Sequence, residues 1–128
     1  MIVGVGLDLV DIERVARLLS RRRDQVTARL FTSGEAAYAE ARPEPARHFA
    51  ARLAAKEAAF KALAGNPLAR GIGWRELEVV SSVEDGRPSL AFHGRAESRA
   101  AELGVTRSWV TLSHSHGLAA AVVILERD

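Results

Sequence analysis

Two carboxylates far apart in the chain, Asp8 and Glu57, and a set of cationic side chains, Arg52, Lys56, Lys61 and His114, are the groups whose types and placing could do chemistry. Asp8 follows Gly4 and Gly6 at every second position. Glu57 sits inside Phe49-Ala-Ala-Arg-Leu-Ala-Ala-Lys-Glu-Ala-Ala-Phe-Lys-Ala-Leu63. If folding joins them, the pair suits Mg²⁺, which takes one or two protein carboxylates and completes its shell with water and substrate phosphates. The cations would then neutralise charge during phosphoryl transfer. Glu57 and Lys61 are also an i, i+4 pair in the favourable order, which on an ordinary surface helix is solvated decoration worth about 0.2 to 0.5 kcal/mol. Lys56 weighs against decoration, because it projects into the apolar stripe of its helix, where an unpaired charge is costly and calls for a partner, a metal or a ligand. His114, in Ser113-His-Ser-His-Gly117, could contact a phosphate or act as a base. A zinc site from His114 and His116 would need a third ligand that the sequence does not place nearby.

These groups need elements to position them. Residues 2 to 10 alternate so that Val3, Val5, Leu7 and Leu9 share one face of a strand while Gly4, Gly6 and Asp8 share the other. The bare glycine face leaves room for another backbone beside Asp8. At about 100° per residue, Phe49, Leu53, Phe60 and Leu63 form one stripe of a helix, and Ala51, Ala55, Ala58 and Ala62 cover much of the opposite side. Such a helix, running from near Ala46 to just before Gly65, packs from more than one side.

Asp11 can cap a helix from Ile12 to about Arg21, with Ile12, Val15, Ala16 and Leu19 buried. Its outward ridge of Arg14, Arg17 and Arg21 could meet an acidic protein helix or a phosphate backbone, against the plainer reading of a solvated basic face. Thr32-Ser-Gly-Glu35 has capping-box spacing and opens a helix to about Ala41. Residues 65 to 73 read as a loop. Two strands, 76 to 82 and 89 to 93, flank the Asp85-Gly86 hairpin signal. A helix over Arg95 to Leu103 ends at Gly104, and a last hairpin joins Trp109 to Ser113 with Leu118 to Leu125. The order is strand, three helices, two strands, helix, two strands. It predicts a single α+β domain over residues 1–128, with a largely antiparallel sheet packed on the long helix.

With 128 residues and no cysteine, the chain has room for one core and excludes disulfides and thiolate chemistry. No apolar run reaches membrane-spanning length and no leader is evident, so a cytoplasmic protein with no membrane contact is expected. A net charge of +2 permits an acidic partner without demanding one. A non-catalytic module that uses the arginine ridge to bind RNA or an acidic protein is a rival reading. It would not need Asp8 or Glu57 and would weaken steeply with salt. A phosphatase or nucleotide hydrolase with the same metal pair is another.

Gly4-Val-Gly-Leu-Asp8-Leu-Val-Asp-Ile-Glu-Arg14, together with Phe49-Ala-Ala-Arg52-Leu-Ala-Ala-Lys56-Glu57-Ala-Ala-Phe-Lys61, resembles the two signature motifs of holo-acyl-carrier-protein synthases, small 4′-phosphopantetheinyl transferases. The likeness extends to Asp85-Gly-Arg-Pro88 and to Val110-Thr-Leu-Ser-His114. It implies the 4′-phosphopantetheinyl transferase fold and transfer of phosphopantetheine from coenzyme A to a serine of apo-acyl carrier protein, releasing adenosine 3′,5′-bisphosphate in support of fatty acid biosynthesis. By the same resemblance, Asp8 and Glu57 hold Mg²⁺, and Arg52, Lys56, Lys61, Gly86, Pro88 and His114 bind coenzyme A. Glu57, Lys61 and His114 carry catalysis, with Glu57 the first candidate for the base and Glu35 or His114 the alternatives. Arg14, Arg17 and Arg21 dock the carrier protein. The family also implies a homotrimer with interfacial active sites, the Asp85 to Pro88 loop reaching a neighbour's nucleotide, and no nucleic-acid partner. Leu53, where an aromatic residue is common, and Ala64-Gly-Asn-Pro67, in place of a glycine-rich loop, depart from the family's pattern.

Overall fold

Gly4 and Gly6 set the central packing. In the computed structural model, which describes residues 1–128, strand β1 (Ile2–Asp11) lies directly on helix α3 (Pro45–Leu63). A Cβ at Gly6 would stand 1.8 Å from the Ala58 carbonyl oxygen, and one at Gly4 would stand 2.2 Å from that of Ala62. No side-chain carbon tolerates such distances, so glycine is what lets the strand seat on helix backbone. The helix answers with small residues. Ala54, Ala55, Ala58, Ala59 and Ala62 are all buried, and α3 is enclosed along most of its length.

The alternation along β1 is as the sequence predicts, and the seat on α3 decides which face is covered. The glycine side packs inward, while Val5, Leu7 and Leu9 are 59%, 57% and 60% exposed. β1 pairs antiparallel with β5 (Leu118–Glu126), and β5 pairs antiparallel with β4 (Arg107–Ser115). This register sets Val5 beside Ile124 and Trp109, and Leu7 beside Val122 and Thr111, which gives the outer sheet face an apolar centre. β2 (Leu77–Ser81) and β3 (Pro88–Phe92) form a separate antiparallel hairpin. Its turn has Gly86 at φ 72°, and the Arg87 N–H is held by Asp85 Oδ1 at 2.9 Å.

Helix α1 (Ile12–Leu30) starts at the Asp11 cap and buries Val15 and Leu19. It runs past the expected end at Arg21, across a kink where Arg22 leaves helical geometry at φ −144° and ψ 49°. Helix α2 (Ser33–Glu40) opens with the predicted reciprocal capping box between Thr32 and Glu35. Pro45 occupies the first turn of α3, where its missing N–H costs no hydrogen bond. The expected loop over residues 65 to 73 contains a short helix, α4 (Pro67–Arg70), capped by Asn66 Oδ1 on the Ala69 N–H at 2.9 Å. Helix α5 (Gly94–Leu103) stops at Gly104, φ 74°. The predicted element order therefore holds, with α4 added. Phe31, Phe49, Leu63, Leu77, Val123 and Leu125 centre the core, and Leu53 packs at its edge. No helix is long and apolar enough to cross a membrane.

Candidate active site

Because β1 seats on α3, the residue that follows the two glycines on the same face meets the helix side chains directly. Asp8 accepts a hydrogen bond on Oδ1 from Lys61 Nζ at 2.8 Å, and Lys61 also donates to the Leu7 carbonyl at 3.0 Å. Glu57, one helical turn before Lys61, faces the same carboxylate. Burial first, and then a hydrogen bond and the negative charge of Asp8, hold the Glu57 carboxyl up to about 7. Burial would raise Asp8 too, but hydrogen bonds from Glu57 and Lys61 outweigh it and leave Asp8 below the usual carboxylate range. The hydrogen bond to Asp8 in turn raises Lys61. The proton of the pair therefore stays with Glu57 on the acid side of about 7, as close like charges require. Asp8 Oδ2 is buried and has no hydrogen-bond partner.

That orphaned oxygen beside a second carboxylate fits a divalent cation. No third acidic or histidine side chain joins to make a cluster of three. This suits Mg²⁺, which leaves positions for water and substrate oxygens, better than a metal needing a closed protein cage.

A second part of the predicted site lies elsewhere. A cavity of about 360 Å³ is lined by Arg52, Tyr38, His48, the hairpin residues Gly86 to Pro88, and His114. Arg52 and Glu57 are five positions apart on α3, about 140° around the helix, and point to different sides. No residue lining this cavity lines the small one beside Glu57. Arg52 is 3% exposed, donates from Nη2 to Ser81 Oγ at 2.7 Å, and has a buried Nε with no partner. His48 is held below its ordinary value by burial and then by the charges of Arg47, Arg52 and Arg42. The cavity thus presents donors and no lining carboxylate.

Lys56 corrects the expectation from sequence. It is fully buried, its Nζ bonded to Glu35 Oε1 and, at 2.6 Å, to the Leu77 carbonyl. Its three donors point into the core, so it does not bind a substrate. Glu35, an alternative base, is removed by the same geometry. It also accepts from the Thr32 N–H at 2.9 Å and the Val79 N–H at 2.8 Å, tying α2, α3 and β2 together. The charge in the apolar stripe had a partner, supplied by another helix.

Arg14, Arg17 and Arg21 are exposed on α1. Arg17 pairs with Glu13 at 3.3 Å. Arg14 lines a cavity of about 80 Å³ with Glu57, Leu18 and Leu53, so the ridge runs up to the carboxylate pair. Sequence reasoning missed Tyr38 and His48 as lining groups. They reach the cavity from α2 and the first turn of α3, and no spacing in the chain announces that meeting.

The family model described as the 4′-phosphopantetheinyl transferase superfamily matches residues 4–123. The holo-[acyl-carrier-protein] synthase of Anaeromyxobacter sp. (strain K) is 46% identical over 129 residues, covering 98% of this chain and 97% of the relative. Among solved structures, the acyl carrier protein synthase of Mycobacterium tuberculosis is 38% identical with a TM-score of 0.73, each chain covered in full at 100%. A holo-(acyl-carrier-protein) synthase from Bacillus anthracis, solved in complex with CoA (3′,5′-ADP), is 28% identical with a TM-score of 0.77, covering 100% of this chain and 99% of that one.

Proposed function

Since the chain belongs to the 4′-phosphopantetheinyl transferase superfamily, among its holo-acyl-carrier-protein synthases, we propose how its residues divide the transfer of phosphopantetheine from coenzyme A to a serine of apo-acyl carrier protein. The observation that carries the assignment is the Asp8–Glu57–Lys61 cluster at the glycine seam of β1 and α3.

Asp8 and Glu57 hold Mg²⁺, which when bound supplies positive charge to the pyrophosphate of coenzyme A and to the departing bisphosphate. Glu57 in its ionised form accepts the proton of the serine hydroxyl. The serine oxygen forms a bond to the phosphorus bearing the pantetheine arm. The bond from that phosphorus to the bridging oxygen breaks, and adenosine 3′,5′-bisphosphate leaves with the electron pair. Lys61 stays protonated beside Asp8 and faces the charge that builds on the phosphoryl oxygens. Arg52, Gly86, Pro88 and His114 receive the nucleotide end, and Arg14, Arg17 and Arg21 receive an acidic face of the carrier protein.

The two halves of the site lie on different sides of α3, and the outer sheet face is apolar around Val5, Leu7, Leu9 and Trp109. Both features support a homotrimer in which the carboxylate pair of one copy works beside the nucleotide cavity of the next. Residues 1–128 are one phosphopantetheinyl transferase domain, acting in the cytoplasm in fatty acid biosynthesis. The test is intact-mass spectrometry of apo-acyl carrier protein incubated with the protein, coenzyme A and Mg²⁺, with an EDTA control. A metal-dependent gain of one phosphopantetheine is expected. No gain across several carrier proteins would sink the assignment.

A further inference from the structure

Arg52 is the most deeply buried cation of the nucleotide cavity, and the side chain that aims it comes from another helix. Tyr38 on α2 lies against the Arg52 guanidinium, whose central carbon is 3.7 Å from the ring centroid. Arg42 lies against the same ring at 3.3 Å, and its Nη1 donates to the Tyr38 carbonyl at 2.8 Å, which anchors it at the end of α2. The His48 ring meets Tyr38 edge-on at 6.0 Å. With the tyrosine ring against it and Ser81 Oγ on Nη2, the Arg52 guanidinium is fixed in orientation where it lines the cavity, its Nε buried behind it. A planar guanidinium held rigidly at a cavity wall is suited to a phosphate oxygen. Stacking on an aromatic face restrains it without using any of its donors.

Resting on the transferase reading, we propose that Tyr38 is a positioning residue that holds Arg52 for the phosphate monoester on the ribose of coenzyme A. Coenzyme A carries two anionic groups. The chemistry places the pyrophosphate at Asp8 and Glu57, which do not line this cavity. The cavity, lined by Arg52, Arg87, His48 and His114, is therefore left with the monoester. Tyr38 touches no reacting atom; it acts through Arg52.

Isothermal calorimetry on the whole protein with coenzyme A and with 3′-dephospho-coenzyme A tests this. Tyr38→Leu is expected to weaken coenzyme A binding about tenfold, the scale of one well-placed charge-assisted hydrogen bond, and to leave dephospho-coenzyme A unchanged. Tyr38→Phe keeps the ring and keeps the affinity. In the background of Arg52→Gln, Tyr38→Leu adds nothing further, because the two act as a unit. Kinetically, the coenzyme A KM rises and kcat holds. Tyr38→Met, with similar reach and no π face, replaces the leucine variant if that one does not fold. Equal weakening of both ligands, an additive loss on top of Arg52→Gln, or no effect at all overturns the proposal. A wild-type protein that binds neither ligand overturns the transferase reading on which it rests.

Discussion

Replacing Lys56 with methionine separates a core residue from a substrate-binding one. The side chain is fully buried, and its Nζ holds Glu35 and the Leu77 carbonyl. Methionine fills much the same volume, so the packing loss is small. What remains is a buried Glu35 without its cation and a carbonyl without its donor. Breaking a buried pair in this way costs about 3 to 5 kcal/mol. Glu35 keeps the Thr32 and Val79 N–H groups, which places the expected loss near the lower end of that range, about 3 kcal/mol. For a chain of this length the melting temperature falls by roughly 10 °C. Lys56→Met/Glu35→Gln, which removes the stranded charge and keeps an acceptor for the Val79 N–H, should recover about half of the loss. The assay is urea unfolding at fixed protein concentration, read alongside transferase kcat at a temperature where each variant is folded. The folded Lys56→Met enzyme should retain activity within about tenfold of wild type. Wild-type stability with activity lost by more than a thousandfold would refute the reasoning and return Lys56 to the substrate.

Three further outcomes follow from the same geometry. Gly6→Ala must push β1 off α3, since its Cβ would sit 1.8 Å from the Ala58 oxygen; we expect a loss of about 1 to 3 kcal/mol and at least about a hundredfold in kcat as Asp8 shifts from Glu57, measured by thermal unfolding and steady-state kinetics, and wild-type values for both would contradict the seam. The metal-free protein should lose stability as pH rises. Glu57 holds its proton up to about 7 when folded against 4.5 as its ordinary value, so the folded state binds the extra proton between those values and its advantage fades as pH passes 7. For a carboxyl this open to solvent, the change is discounted to about 1 kcal/mol. Unfolding at pH 5 and pH 8 in EDTA measures it, and Glu57→Gln should flatten the difference. Arg14→Glu or Arg17→Glu should raise the carrier-protein KM about tenfold and spare the coenzyme A KM. Equal effects on both substrates would remove the ridge from docking.

Where local chemistry decides an element, the sequence reads it correctly. The capping box of Thr32 and Glu35, the Asp85-Gly86 turn and the Gly104 stop are all present where the residue types place them. The bare glycine face announced a close neighbour for β1, but spacing alone left open whether Asp8 and Glu57 meet; the resemblance named that pair, and the fold brings Asp8 against both Lys61 and Glu57. Two things lay beyond reach. Alternation tells which β1 residues share a face but does not say which face is covered, and the aliphatic one turned outward. Nor does helical spacing reveal a partner from another element, so Lys56 read as charge awaiting a ligand when Glu35 already held it. The kink at Arg22 has no turn signal in the sequence, whereas the Asn66 cap with Pro67 behind it is a local helix-start signal that the loop reading of residues 65 to 73 passed over.

The pairing of β1 with β5 sets when this protein can fold. Ile2 lies opposite Glu126, so β1 finds its only hydrogen-bonded neighbour strand 124 positions later in the chain. At about 5 to 20 residues per second, β1 leaves the ribosome on the order of ten seconds before β5 exists. Through that interval its backbone has no ladder, and Val5, Leu7 and Leu9 stand in an open edge that other strands can join. Closure over nearly the whole chain also makes the search slow relative to a helical protein of equal size. Production yield should therefore respond to chaperone supply and to growth temperature more than the stability of the finished molecule would suggest, with losses appearing as aggregated nascent chain.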